Sequence, residues 1–202
     1  MISVKNLSFK YGNNIIIDNL DYDFPPGKLT AITGKSGVGK TTLLNLICGL
    51  TSVQSGEITN IPKKIGYVFQ EPRLFDWMTA IENVSTVSDE QTARNLLTQM
   101  GLEDALYKYP SELSGGMKQR VSIARALAYD ADLIILDEPF KGLDPERRNE
   151  ISKFTFKMLK DKTIIMVTHD PTDLDFAEVV LEMLPAPNNQ LKLVKSNTSI
   201  TE

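Results

Sequence analysis

A glycine-rich segment at residues 34–41 has the residue types and spacing of a phosphate-binding loop. It fits the pattern G-x-x-x-x-G-K-[ST] with Gly34, Lys35, Ser36, Gly37, Val38, Gly39, Lys40 and Thr41. Glycines let backbone N–H groups turn inward around phosphate oxygens, Lys40 adds positive charge for the outer phosphates, and Thr41 offers a hydroxyl to Mg²⁺. The alternative is a glycine turn that only caps a helix. Because the segment lies between a predicted strand and a predicted helix, the phosphate site is favoured.

Two carboxylates follow a short apolar run at residues 133–136. Strand ends in a parallel sheet face the ligand crevice, so Asp137 is placed to hold Mg²⁺ through water. Glu138 is placed to orient or deprotonate an attacking water. An acidic pair after a strand is also common as a plain helix-capping turn. Since the same chain carries a phosphate loop, the catalytic interpretation is favoured.

The elements that must position these groups follow an α/β pattern. Alternating apolar and polar residues at 2–10 and 15–22, with turn residues between them, predict an N-terminal antiparallel β subdomain. Continuous apolar runs predict buried strands of a parallel sheet. These runs are 28–33, 64–69, 132–136 and 162–168. An apolar helical run at 41–50 follows the glycine loop, so the segment reads as strand, loop and helix.

The segment from about residue 71 to about residue 130 has no strong strand pattern. Apolar residues recur there at helical spacing over 90–100 and 116–129. This predicts an inserted helical lobe within a single domain that spans residues 1–202. The tail from Pro185, with Asn188 and Asn189 before an alternation over 191–194, predicts a last hairpin and a frayed end.

The composition excludes some classes of function. A formal net charge of −4 gives no basic field for a nucleic-acid backbone, so we expect no nucleic-acid partner. The single cysteine, Cys48, has apolar neighbours and is expected to be a small buried residue of a helix. No stretch approaches the about 20 apolar residues that cross a bilayer. We therefore expect a cytoplasmic protein whose membrane role comes through a partner.

A third motif lies between the phosphate loop and the acidic strand end. It reads LSGGMKQR over residues 113–120 and resembles the LSGGQ signature of ABC transporter ATPases, with Met117 where the family usually has Gln. Alone, Ser-Gly-Gly before an apolar helix is an ordinary cap. In this order of motifs, the chain resembles an ABC transporter ATP-binding protein from Tyr11 to His169. The resemblance implies a P-loop NTPase core, ATPase activity, and ATP and Mg²⁺ as cofactors.

The resemblance also assigns roles by matched position. Tyr11 would stack on adenine, Gln70 would contact Mg²⁺ or the attacking water, and His169 would contact the γ-phosphate. The alternatives are a half-buried strand aromatic, a solvated loop residue and a structural histidine. Asp144 would contact an opposite subunit, and it is also suited to cap the next helix. Lys141 stands where relatives usually carry a small residue, which leaves the shape of that loop open.

The resemblance therefore implies three sets of site residues. The ATP-binding residues are Tyr11, Gly34, Lys35, Ser36, Gly37, Val38, Gly39, Lys40, Thr41, Thr42, Ser114, Gly115, Gly116 and Asp144. The catalytic residues are Lys40, Gln70, Glu138 and His169. The metal-binding residues are Thr41, Gln70 and Asp137.

One branch of the family matches in more detail. Residues 70–84 resemble the Q-x-x-x-LLPW-x-T-x-x-x-NV region of nitrate, sulfonate and taurine import ATPases, with Asp76 in place of the usual Pro, and Phe140 agrees with that branch. The alternative is an ABC ATPase of a membrane release or remodelling complex, which would share every catalytic residue. The resemblance does not identify the solute or the permease, or decide between a homodimer and a heterodimer.

The resemblance implies a head-to-tail pair of ATPase subunits at the cytoplasmic face of the cell membrane. Ser114, Gly115 and Gly116 of one subunit would close over ATP held by the other. Integral membrane permease subunits are the implied partners, and an importer would add an extracytoplasmic solute-binding protein through the permease. The apolar residues Leu74, Phe75, Trp77 and Met78 look exposed, and with Phe75 and Trp77 as anchors this part of the lobe would receive a short permease helix. The alternative is that Trp77 is an ordinary packing residue.

Overall fold

The structure is a computed structural model that describes residues 1–187 and 191–196. The described residues of the ranges 1–65 and 161–196 belong to one compact unit, and residues 66–160 form a second. The helices and strands in chain order are β1 Ile2–Tyr11, β2 Asn14–Phe24, β3 Leu29–Thr33, α1 Lys40–Ile47, β4 Ser55–Thr59, β5 Ile65–Val68, α2 Ala80–Ser85, α3 Glu90–Gln99, α4 Gly115–Ala128, β6 Leu133–Asp137, α5 Pro145–Met158, β7 Thr163–Val167, α6 Pro171–Leu174, β8 Val179–Met183 and β9 Leu191–Ser196.

The first unit contains an antiparallel three-stranded sheet in the order β2-β1-β4. β1 and β2 pair from Ile2 opposite Phe24 to Tyr11 opposite Asn14, which confirms the predicted N-terminal hairpin. β1 buries Ile2 and Val4 and then Leu7 and Phe9, because successive residues of a strand point to opposite faces and an irregularity between Val4 and Leu7 shifts the register. β4 lies outside the predicted strands. Most of its side chains are exposed, so backbone pairing with β1 holds it in place without an apolar pattern.

The same unit contains four further strands in the order β7-β3-β8-β9. β3 pairs in parallel with β7 and with β8, as the continuous apolar runs at 28–33 and 162–168 indicate. β9 is antiparallel to β8, so an antiparallel edge strand completes an otherwise parallel set. The alternation predicted at 191–194 lies in β9. Asn188, Asn189 and the predicted frayed end after residue 196 lie outside the described residues.

α1 follows the glycine loop in this unit and ends earlier than predicted. It stops at Ile47, not at residue 50, because Gly49 adopts a φ of 69° that reverses the chain after the helix. Cys48 caps the helix and is half-buried. Burial raises the pKa of its thiol to about 12, so the thiol stays protonated near neutral pH.

The second unit combines two strands with the helices α2 to α5. β5 and β6 lie side by side, and every side chain of β6 is buried. The helices predicted at 90–100 and 116–129 are α3 and α4, and they pack against α2 and each other. α2 is too short to show periodicity, although a capping box of Thr79 and Glu82 marks its start. The single domain with an inserted lobe at about 71–130 stays a prediction.

Candidate active site

The phosphate-loop segment lies between β3 and α1, and its shape depends on two glycines. Gly34 and Gly39 have φ values of 136° and 109°, a region that residues with side chains rarely adopt. A Cβ atom would lie 2.6 Å from the carbonyl oxygen of Met183 at Gly34 and 2.8 Å from Cγ2 of Ile16 at Gly39. Both positions therefore require glycine, and the loop backbone packs directly against β8 and β2.

Lys40 begins α1 and is buried within the phosphate loop. Its ammonium donates hydrogen bonds of 2.8 Å to the carbonyl oxygens of Gly34 and Lys35, so the loop encloses the lysine head group. Thr41, in the first turn of the helix, is exposed. The N-terminus of α1 adds backbone N–H groups that point along the helix axis and the positive end of the helix dipole. Backbone N–H groups, an ammonium and a hydroxyl fit the phosphates of ATP and an accompanying Mg²⁺.

Two more predicted site residues belong to the first unit. Tyr11, at the end of β1, is 55% exposed and contacts Phe9 only edge-on at 4.8 Å between ring centroids. His169 lies two residues after the end of β7 and is exposed. The chain beside it is fixed by Thr168, whose hydroxyl donates to the buried carboxylate of Asp173 and accepts from the backbone N–H of residue 170. Asp170 before Pro171 is a sequence signal for the start of α6, at which Asp170 is the N-cap residue.

In the second unit, Asp137 ends β6 and Glu138 follows it directly, as the sequence predicts. Asp137 is 2% exposed, whereas Glu138 is less buried and has a left-handed φ of 47°. Gln70 Nε2 donates to Glu138 Oε2 at 3.4 Å, so the structure brings these two predicted catalytic residues together. Lys141 Nζ lies 2.8 Å from the same oxygen. The sequence indicated no contact for Lys141.

Gln119 links the chain segments that carry Gln70 and Glu138. It lies on α4 within the LSGGMKQR segment and is 2% exposed. Its side-chain amide donates to the carbonyl oxygen of Pro139 at 2.9 Å and to that of Phe69 at 3.4 Å. Because those residues adjoin Glu138 and Gln70, Gln119 connects the backbone beside one predicted catalytic residue to the backbone beside the other. Sequence reasoning missed it, although it stands inside a quoted motif.

The start of α4 carries the predicted signature residues. Ser114 accepts a hydrogen bond from the backbone N–H of Met117 at 3.2 Å and therefore caps the helix. Gly115 is exposed, and a Cβ atom there would meet nothing within 4 Å. A Cβ atom at Gly116 would lie 3.2 Å from the carbonyl oxygen of Gly142, so the signature and the loop after Glu138 are in contact.

Asp144 caps α5, which confirms the structural interpretation of this residue. Its carboxylate accepts from the backbone N–H groups of Glu146 at 3.0 Å and Arg147 at 3.4 Å. Asp144 is also exposed, so the cap leaves it accessible. Its contact with an opposite subunit stays a prediction.

In the predicted docking loop, residues 74–78, Phe75 and Trp77 are exposed, whereas Leu74 and Met78 are half-buried. Trp77 is 72% exposed and its ring lies 5.4 Å from that of Phe75, which is 39% exposed. Asn83 is fully buried, accepts from the backbone N–H of Phe75 and donates to the carbonyl oxygens of Phe75, Met78 and Thr79. The loop therefore presents its aromatic rings on a fixed backbone.

Comparison with known proteins agrees with this geometry. The family model described as ABC transporter matches residues 17–141. The taurine import ATP-binding protein TauB of Roseobacter denitrificans is 37% identical over 92% of this chain and 78% of its own length. The intermembrane phospholipid transport system ATP-binding protein MlaF of Haemophilus influenzae is 38% identical over 90% of this chain and 81% of its own length.

A solved structure has the same fold. The dimeric post-hydrolysis structure of the ATP-binding cassette MJ0796 bound to ADP and Pi covers 96% of this chain and 98% of its own, with a TM-score of 0.85 and 30% identity. This confirms the predicted P-loop core with antiparallel N-terminal strands and additional helices. No helix among residues 1–187 and 191–196 is long and apolar enough to cross a membrane.

Proposed function

We propose that this chain, which belongs to the ABC transporter family, hydrolyses ATP as a pair of subunits and thereby drives solute import through a separate membrane permease. Because it belongs to this family, the chain is an ATP-binding ATPase of a transporter. The observation that carries the residue-level proposal is the pairing of Gln70 with Glu138 in a chain whose phosphate loop encloses Lys40. Phosphate binding and water activation are the two requirements of ATP hydrolysis.

We assign one set of residues to ATP binding and another to the attacking water and the γ-phosphate. Residues 34–42 bind the phosphates through backbone N–H groups and Lys40, and Tyr11 offers an exposed ring face to adenine. Glu138 orients or deprotonates the attacking water, and Gln70 shares that task because it lies beside the carboxylate. His169 contacts the γ-phosphate as that group is transferred.

Mg²⁺ is the remaining component of the proposed ATP site. When bound with ATP, Mg²⁺ neutralises charge on the phosphates. Thr41, Gln70 and Asp137 are the residues proposed to hold it, since a hydroxyl, an amide oxygen and a carboxylate are oxygen ligands that this ion accepts.

The second part of the proposal is an ATP-dependent dimer. Ser114 and Gly115 are exposed at the N-terminus of α4, where a helix end favours a bound anion. We assign that anion to the γ-phosphate of ATP held by a second copy, in support of which the MJ0796 cassette is dimeric. Residues 114–116 and Asp144 would then belong to the contact between copies.

Light scattering on Glu138→Gln tests this dimer. With Mg-ATP, the variant is expected to bind nucleotide without turnover and to accumulate at twice the mass of one chain. Adding Gly115→Asp should prevent the dimer, because the new carboxylate would repel the γ-phosphate of the other copy. That change should leave the fold intact, since an added Cβ meets nothing within 4 Å and an acidic residue suits a helix N-terminus. A single-chain mass for Glu138→Gln with Mg-ATP would refute the pairing.

The direction of transport rests on the similarity to TauB and on the segment at 70–84. The alternative is a role in membrane release or remodelling, which the similarity to MlaF favours. In either case the proposed place is the cytoplasmic face of the membrane. The importer would also require an extracytoplasmic solute-binding protein, and solute uptake by vesicles that contain the complex separates the two functions.

Replacement of Trp77 tests the coupling to a permease. Trp77→Ala should spare ATP binding but weaken co-purification with a co-expressed permease, because a central exposed aromatic residue often dominates an interface. Tyr107→Ala is a matched control, since Tyr107 is 64% exposed in the same unit. Unchanged assembly and uptake by Trp77→Ala would mean that the permease docks elsewhere.

A further inference from the structure

Lys141 forms an ion pair with the proposed catalytic carboxylate of Glu138. Its ammonium lies 2.8 Å from Glu138 Oε2, the oxygen to which Gln70 donates at 3.4 Å. The Glu138 side chain is 18% exposed and the Lys141 side chain 58% exposed. The carboxylate is therefore partly shielded, while its cationic partner reaches it from the solvent side.

The backbone places the two charges together. The N–H of Lys141 donates to the carbonyl oxygen of Glu138 at 3.1 Å, which closes a four-residue turn over 138–141. Phe140 is buried within this turn and contacts the ring of Phe156 at 5.6 Å, and Gln119 bonds the carbonyl oxygen of Pro139. The turn is thus anchored at both middle residues, so the approach of Lys141 to Glu138 follows from the fold.

The backbone of Glu138 indicates why such support matters. Its φ of 47° is uncommon for a residue with a side chain and is maintained only where the surroundings enforce it. The glutamate side chain beyond that backbone still has several rotatable bonds, and an ammonium on one carboxylate oxygen reduces their freedom. A small residue at position 141 has no group that would reach this oxygen.

We propose that Lys141 is a positioning residue for ATP hydrolysis, which holds Oε2 of Glu138 beside Gln70. This inference rests on the proposed role of Glu138 as the group that orients or deprotonates water. The ammonium holds one carboxylate oxygen, Oε2, and thereby also restricts the direction of the other oxygen of the same carboxylate. Lys141 acts through Glu138 and needs no contact with ATP, so its effect belongs to the catalytic step and not to nucleotide affinity.

Steady-state ATP hydrolysis by the purified full chain tests this role. Lys141→Met keeps the length of the side chain and removes its charge, and it should lower kcat about twofold to fivefold with an unchanged KM, because the lysine of this ion pair is largely exposed. Lys141→Arg should recover most of the rate because it restores a cationic donor. Rising ionic strength should narrow the difference between wild type and Lys141→Met, since salt screens an exposed pair.

Two further variants make the result decisive. Lys153→Met removes an exposed lysine of α5 and should leave kcat as in wild type. Glu138→Gln should abolish turnover in the same assay, and continued turnover would overturn the proposed function itself. If Glu138→Gln is inactive while Lys141→Met has an unchanged or raised kcat, or changes KM alone, then Lys141 does not position the carboxylate and only this inference fails.

Discussion

The phosphate loop at 34–41 and the turn at 138–141 reach functional geometry by different means. The loop is shaped by the main chain, since a Cβ atom at Gly34 would lie 2.6 Å from a backbone oxygen. At the turn, the position of the Glu138 carboxylate depends on other side chains, because Gln70 and Lys141 hold its Oε2 atom. Gln119 bonds the backbone beside it. A motif that fixes the backbone can be recognised from sequence, whereas a side-chain arrangement depends on residues outside the motif.

The largest expected effect on stability is at Gly34. Gly34→Ala places a methyl group against the carbonyl oxygen of Met183 at a φ of 136°, so the free energy of unfolding should fall by about 3 kcal/mol. Gly37→Ala is the matched control, because its φ is 77° but a Cβ atom there meets nothing within 4 Å. It should cost about 1 kcal/mol. Equal losses in urea unfolding would show that the close backbone approach is not what requires glycine at Gly34.

A smaller loss is expected where a side chain, not a glycine, holds a loop. Asn83→Ala leaves the backbone N–H of Phe75 and the carbonyl oxygens of Met78 and Thr79 without their buried partner. The free energy of unfolding should fall by about 2 kcal/mol, and co-purification with the permease should weaken because the docking loop loses its anchor. Asn95→Ala on the exposed face of α3 should change stability by less than about 0.5 kcal/mol. Similar losses for both variants would mean that Asn83 does not organise this loop.

The sequence predicted those parts of the fold that carry a local physical signal. β3, the glycine loop and α1 were recognisable because a buried apolar run, special backbone positions and a helical run follow one another. β4 has too few buried side chains to give a pattern, and α2 has only six residues. The antiparallel pairing of β9 with β8 agrees with the last hairpin predicted from the turn residues after Pro185 and the alternation at 191–194.

In the candidate site, too, some features could be predicted from the sequence and others could not. The positions of Asp137 and Glu138 at the end of β6 followed from the apolar run before them. The contact between Lys141 and Glu138 did not, because it depends on a turn closed by backbone hydrogen bonding and anchored by Phe140. Gln119 stands within a recognisable motif, but its two bonds to the backbone at Phe69 and Pro139 depend on tertiary packing.

The most direct measurement compares ATP affinity and phosphate release for Lys40→Ala and Glu138→Gln in parallel. Lys40→Ala should weaken ATP binding roughly tenfold to a hundredfold in calorimetry, because a charged donor to the phosphates is lost. Glu138→Gln should bind ATP as wild type does while phosphate release falls about a hundredfold to ten-thousandfold, since the amide cannot accept a proton from water. If Glu138→Gln releases phosphate at the wild-type rate, or Lys40→Ala binds ATP with unchanged affinity, the proposed division between binding and hydrolysis is wrong.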